Sequence, residues 1–444
     1  MKANSSFNDS ARSRVPMSNR LGFFSNLMVL SGFILMVTSL LSGGSIGSVF
    51  SLNQAVPIII FGVMTTAFMA ILVGVIGTRT GYSTPLIYRF SFGSNGVILP
   101  NIILAVAGLG WIALSVNIVR DAFAGMYGVE AHSGTWWFVT IATFIVFVIP
   151  AFKSVKWLSF LNWVAAPTIV GILLFVFYYS ITKDPGVWNK SHIADMSVLT
   201  GVTLAIGGWI QGAAVIADFT RFLKNSKQAL LAITFSFGFL ILFQFLGGAI
   251  GAASTGDWNI FNILTAMGIG AFAFIGVFFS AWSTCSSCLY GASLEMSAPP
   301  IPEIKDQETT RRIVVIILSI LTFVGILIGI EGFIFWYLPF LTFIVAPLIA
   351  NVIVDYWLLA KRRILYEEGL PDMKINPAAY LSWIIGFIVG VYTNSIEFGS
   401  GAINSLVASA VIYYGWMNYA LSHNTTPEKQ LRFGVRVENM DEGV

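Results

Sequence analysis

The chain has 444 residues, of which 56% are hydrophobic and only 10% charged, with a net charge of +3 and a mean hydropathy of +0.81. Soluble domains carry about 25% charged residues, so too few polar side chains are present to coat a water-facing surface, and the chain reads as an all-α, multi-pass membrane protein. The small positive charge lies in short loops rather than in one patch and is no nucleic-acid signal.

Residues 1–20 are polar, with Lys2, Arg12, Arg14 and Arg20, and read as a cytoplasmic tail. Apolar runs long enough to cross a bilayer follow at about 21–50, 54–78, 95–125, 135–152, 157–181, 197–220, 229–253, 266–298, 310–328, 332–360, 376–396 and 399–421, with a second polar tail over 423–444. Lysine and arginine positions test this count. With the N-terminus inside, the predicted cytoplasmic loops and tails hold all but three of the 24 basic residues. The three outside are Arg120, Lys183 and Lys190. That bias is the positive-inside pattern, and one missed or invented span would scramble it. Twelve spans in the cytoplasmic membrane, with both termini cytoplasmic, are therefore expected. Trp136, Trp137 and Trp188 fall near the predicted outer interfaces.

The first and sixth runs are interrupted by glycine. The first carries Gly32, Gly43, Gly44 and Gly47; the sixth carries Gly207, Gly208 and Gly212 around Trp209 and Gln211. Each helical glycine costs about 1 kcal/mol relative to alanine, and irregular backbone persists in a bilayer only where it is buried in protein or lines a cavity. Matching interruptions five spans apart point to two inverted repeats, about 21–181 and 197–360, with a site between them and two extra helices at about 376–421. The competing reading is close helix packing, since Gly43–Gly47 and Gly247–Gly251 have the small-xxx-small spacing of helix contacts.

Ionisable groups are nearly absent from the span centres. Asp218, Glu295 and Asp355 fall toward predicted inner ends, Glu331 and Glu397 toward outer ends. This argues against a mid-membrane proton relay and against a charged substrate. His132, His192 and His423 fall in loops or the tail, so no zinc, haem or catalytic triad can be assembled, and an enzyme is not expected. Cys285 and Cys288 form C-x-x-C inside an apolar run, where two packed small side chains are the simpler reading than a redox pair. The eighth run carries Ser280, Ser283, Thr284, Ser286 and Ser287. Hard cations take oxygen ligands, although membrane-helix hydroxyls also bond to their own carbonyls. Trp111 and Trp209 can stack on a flat heterocycle, with Gln211, Ser115 and Asn117 reading its edge.

Four stretches, TGYSTPLIYRFSFG (80–93), GLGWIALSVN (108–117), GGWIQGAAVIADFTRF (207–222) and AWSTCSSCLYGAS (281–293), together resemble the nucleobase–cation symporter-1 family of cytosine, purine and allantoin permeases. The likeness runs from about residue 21 to 420. It implies a five-plus-five inverted repeat with broken first and sixth helices, and secondary active transport driven by sodium or protons. It implies substrate contacts at Trp111, Gly207, Gly208, Trp209 and Gln211, with Cys285, Ser286 and Ser287 where the family is rich in Asn and Asp. For sodium it implies the carbonyls of Gly32, Leu35 and Ser280 and the hydroxyls of Ser283 and Thr284. No other cofactor is implied. The expected activity is cation-coupled import of a nucleobase, hydantoin or ureide by alternating access. Proton coupling is the alternative, and a transporter-like sensor is the rival from another class. The expected partners are that substrate and membrane lipid, and a monomer is the working expectation.

Overall fold

In a computed structural model, the described residues are 12–152, 155–190, 196–329, 334–359, 362–363, 366 and 373–423. The tail readings over 1–11 and 424–444, and those at His192 and Glu331, lie outside the described residues.

The first apolar run is two helices, α1 (Phe23–Ile34) and α2 (Val37–Gly47), bent by 52° at Leu35–Met36. The bend is not at the later glycines. Those are contact points, because a Cβ on Gly43 would collide with the Phe245 backbone and one on Gly248 with the Leu40 carbonyl. The packing reading therefore holds for α2 and the break reading for residues 35–36. There follow α3 (Leu52–Thr80), a short helix α4 (Thr84–Phe92), α5 (Ile98–Tyr127), α6 (Gly134–Val148) and α7 (Val155–Lys183). The R-F-S-F-G piece is thus helical up to Gly93, whose φ of 93° ends α4.

The sixth run is broken twice, into α8 (Val198–Gly207), α9 (Ile210–Ala214) and α10 (Ala217–Thr220). Trp209, with φ −138° and ψ 10°, sits in the first break and outside helical geometry. A Cβ on Gly207 would collide with the Leu338 carbonyl, and one on Gly208 would lie 2.9 Å from the Ser42 Cβ. The pair therefore allows both a turn and a close approach. Next come α11 (Ser226–Ile233) and α12 (Ile241–Thr255), joined through a π-helical turn over Thr234–Leu240. They are followed by α13 (Ile260–Ala266), α14 (Gly270–Ser297), α15 (Gln307–Ile328) and α16 (Ile334–Ile353), then two C-terminal helices, Pro377–Ser395 and Gly401–His423.

Nine helices among the described residues are long and apolar enough to cross a membrane, or ten if α1 and α2 count as one span. The sixth run misses because its pieces are short. Gly401–His423 misses because Asn404, Ser405, Ser409 and Asn418 dilute its apolar face. One continuous apolar core joins these helices.

A polar clamp fastens α4 to the C-terminal helices. Arg362 and Asp355 form a fully buried pair at 2.8 Å. Arg362 also donates to the Phe90 carbonyl, and Tyr413 and Tyr366 donate to Asp355 at 2.9 and 3.1 Å. Asn376 donates to the Ser91 carbonyl at 2.7 Å. Arg362 and Asn376 thus occupy end carbonyls of α4, which a helix leaves without intrahelical partners.

Candidate functional site

The two breaks face a cavity of about 740 Å³. Its wall takes Gly32, Leu35 and Thr38 from the first run, Trp111 from α5, Gly208, Trp209 and Gln211 from the sixth, and Thr284, Ser287 and Cys288 from α14. It extends to Leu21, Phe222 and Glu295 at one end and includes the exposed Met28 of α1 and Trp163 of α7.

Each indole is fixed by a polar or aromatic neighbour. Trp209 Nε1 donates to Ser39 Oγ at 2.9 Å, and Phe33 and Phe237 meet its ring edge-on at 5.4 and 5.6 Å. Trp111 packs edge-on against Tyr337 at 5.7 Å, and the Tyr337 hydroxyl donates to the Ala107 carbonyl at 2.6 Å. The Trp209 N–H and the Tyr337 hydroxyl are satisfied by protein, as buried aromatic donors require. Gln211 Nε2 donates to the Leu104 carbonyl at 3.0 Å. A carbonyl only accepts, so this contact fixes the amide orientation. The carboxamide oxygen and the second N–H then remain available to a ligand. Gly108 makes room, since a Cβ there would lie 3.2 Å from Gln211 Nε2.

The break in the first run is built from backbone groups turned away from the helix. Met36 N–H points to the Ile34 carbonyl (2.8 Å) and to Gln244 Oε1 (3.1 Å), Val37 N–H to Ser280 Oγ (2.8 Å), and Ser39 N–H to the Met36 carbonyl (3.1 Å). The carbonyls of Gly32, Phe33 and Leu35 thereby lose the donors four residues ahead that a continuous helix supplies. Gln244 closes the arrangement by donating Nε2 to the Ile34 carbonyl at 3.1 Å. Free carbonyls at Gly32 and Leu35, beside the Thr284 side chain, are a donor set suited to a hard monovalent cation. Thr284 Oγ1 itself donates to the Ser280 carbonyl at 3.0 Å and keeps its lone pairs for such an ion. Among the described residues no cluster of histidine, cysteine and carboxylates fit for a metal is found.

Several expected site residues are placed elsewhere. Asn117 Oδ1 accepts from Arg120 Nη1 at 2.7 Å, and Arg120 lies over the Trp136 ring at 4.1 Å, so Asn117 belongs to that cluster. Ser115 donates back to the Trp111 carbonyl at 2.8 Å. Ser286 donates to the Phe147 carbonyl at 3.0 Å, and Cys285 is fully buried. Gly207 packs on α16, and Ser280 and Ser283 lie buried behind the wall. Helical geometry explains the pattern. Residues advance by about 100° each, so Ser286 stands roughly opposite Thr284, whereas Ser287, Cys288 and Gly291 share its face. Asn117 is likewise about 240° round from Trp111. The i+3/i+4 rule applied from Thr284 would have found Ser287 and Cys288. Gln244 was missed outright, and its signal was a lone carboxamide in the apolar run FQFLGG.

Comparison with known proteins follows the same lines. The family described as "Permease for cytosine/purines, uracil, thiamine, allantoin" matches residues 14–417. The cytosine permease of Escherichia coli strain K12 is 24% identical over 94% of this chain and 96% of its own length. The hydantoin permease of Microbacterium maritypicum is 20% identical over 87% and 84%. In fold, the chain is similar to a nucleobase–cation-symport-1 family transporter solved closed with bromovinylhydantoin bound. That likeness has a TM-score of 0.74 at 17% identity and covers 97% of this chain and 99% of the other.

Proposed function

Since this chain belongs to the family of permeases for cytosine/purines, uracil, thiamine and allantoin, we propose that it imports a small, neutral, planar nitrogen heterocycle by sodium symport. The protein is a multi-pass membrane transporter and not an enzyme. The observation that carries the finer reading is the meeting of two broken segments at one cavity with a fixed indole on each side. Trp111 and Trp209 stack on the ring. The Gln211 oxygen and the Gly208 backbone read its edge, together with Ser287 and Cys288 on α14. The Gln211 oxygen suits a substrate edge that offers an N–H donor, such as a lactam or an amino group. The carbonyls of Gly32 and Leu35, with the Thr284 hydroxyl, hold the coupling ion.

Under this reading the chain makes twelve spans as an inverted five-plus-five repeat with two added helices, and works by alternating access. It acts as a monomer in the cytoplasmic membrane, with residues 1–20 and 423–444 as cytoplasmic tails. The test is thermal-shift screening of the purified protein against a nucleobase, hydantoin and ureide panel, with sodium or choline as the chloride salt. Bound ligand stabilises the folded state by mass action. One class should shift the transition, and more strongly in sodium. A panel without any shift would refute the substrate class, and a shift indifferent to sodium would refute the coupling ion.

A further inference from the structure

Two carboxylates, Asp218 and Glu295, stand in the cavity wall, and no lysine, arginine or histidine stands there with them among the described residues. Asp218 is supported. Its Oδ1 accepts from the Thr84 backbone N–H at 2.9 Å, and Arg221 lies beside it, donating Nε to the Asp218 carbonyl at 3.3 Å. Glu295, in the last turn of α14, has no such support: its side chain is buried, at 2% exposure, and its Oε2 has no hydrogen-bond partner.

Two further oxygens nearby are in the same condition. Tyr88 lies one turn after Thr84 on the same face of α4, and its hydroxyl is fully buried and unpartnered. Asn101 of α5 donates Nδ2 to the Glu295 carbonyl at 3.0 Å, which leaves its own Oδ1 unpartnered. Burial raises the Tyr88 phenol well above its ordinary range, and the negative charges of Glu295 and Asp218 raise it further. The phenol is therefore within electrostatic reach of both.

A buried carboxylate without a counter-charge is costly, and unpartnered buried polar atoms usually mark an ion, a water or a ligand. The unpartnered atoms here are all oxygens, the donors hard cations take. A low-dielectric cavity lined by one sign of charge concentrates the opposite sign. We infer that Glu295, Asp218, Tyr88 and Asn101 form a second binding position, which takes a monovalent positive charge, either an alkali cation or the charged nitrogen of a ligand. It is distinct from the break in the first run, because Glu295 lies about three helical turns beyond Thr284 on α14. In transport, it holds a positive charge at the end of the cavity near Leu21 and Phe222, beyond the central site; that role rests on the symport reading, whereas the binding itself does not.

The experiment uses the purified full chain and two probes, radiolabelled sodium and thiamine, a cationic heterocycle, with neutral cytosine as the comparison. Half-saturation is measured at fixed ionic strength for the parent, Glu295→Gln, Glu295→Asp and the Ser283→Ala/Thr284→Ala pair. Glu295→Gln should raise half-saturation at least tenfold for one of the two positive probes, and which one responds identifies the source of the charge. Glu295→Asp, which keeps the charge, should retain most of the response. For sodium, the parent should bind one more ion than either Glu295→Gln or the hydroxyl pair. Unchanged half-saturation for both probes in Glu295→Gln would overturn the inference. So would an equal loss for cytosine, which would mark a structural role, or a change confined to the pH profile, which would mark a proton site. Absence of any cytosine, hydantoin or ureide binding by the parent would strike the substrate reading instead and leave the sodium arm readable.

Discussion

Trp209 is held on three sides, by Ser39 through its N–H and by Phe33 and Phe237 at its edges. The ring is therefore positioned before any substrate arrives. Trp209→Ala should cut uptake by roughly 5- to 150-fold, the equivalent of losing one stack at about 1–3 kcal/mol. Trp209→Phe should recover part of it, with initial uptake rate as the measurement. Gln211→Leu keeps the bulk but removes the oxygen and the side-chain bond to the Leu104 carbonyl, which keeps its helical partner. It should weaken substrates with an N–H donor about 10-fold or more relative to N-methylated analogues, as read by competition against a labelled substrate. If both analogues lose equally, Gln211 is structural. Trp209, Gln211 and the glycine pair were legible because each is out of place in a plain membrane helix. Asn117, Ser286 and Cys285 were misplaced because residue type and depth were weighed without the angular position that decides which face a side chain shares.

At the scale of elements, α1 bends without a proline because Gln244 and Ser280 take up the amides that a straight helix would have used. The bend is thus imposed by α12 and α14 rather than written into α1 alone. Gln244→Leu should leave Met36 N–H and the Ile34 carbonyl with fewer partners, at about 1–3 kcal/mol. Expressed through the cation site, that is roughly 5- to 100-fold in sodium half-saturation. Sodium titration of uptake at saturating substrate measures it, and an effect confined to substrate affinity would contradict the assignment. The glycines of α2 and α12 act differently. Gly43→Val would collide with the Phe245 backbone, which cannot retreat as a flexible side chain can, so loss of folded protein in detergent is expected. The bend was legible as a run longer than its span. Its location was not, because Gly43, Gly44 and Gly47 drew attention to residues whose function is contact.

For the whole molecule, the all-helical, multi-pass character was legible from composition and hydropathy, but the ties between distant parts were not. Asp355 and Arg362 read as ordinary inner-end charges. In the structure they form a buried pair that joins α4, α16 and the helix Gly401–His423 through Phe90 and Tyr413. Arg362→Leu leaves Asp355 buried and uncompensated, which costs about 3–5 kcal/mol. Replacing both partners by apolar residues of similar size should be far milder. Melting of the parent and these two variants in detergent checks the ordering. The cavity has its own long-range consequence. Its wall includes Met28 and Trp163, apolar side chains that also stand on the outer surface of the molecule at 62% and 77% exposure. Under the proposed reading, a heterocycle held at the two indoles could carry an alkyl tail that runs along the cavity past Met28 of α1 and Trp163 of α7 to the outer surface. A photoreactive group on such a tail would label Met28 or Trp163, which makes this part of the wall a handle for chemical probes of the transporter.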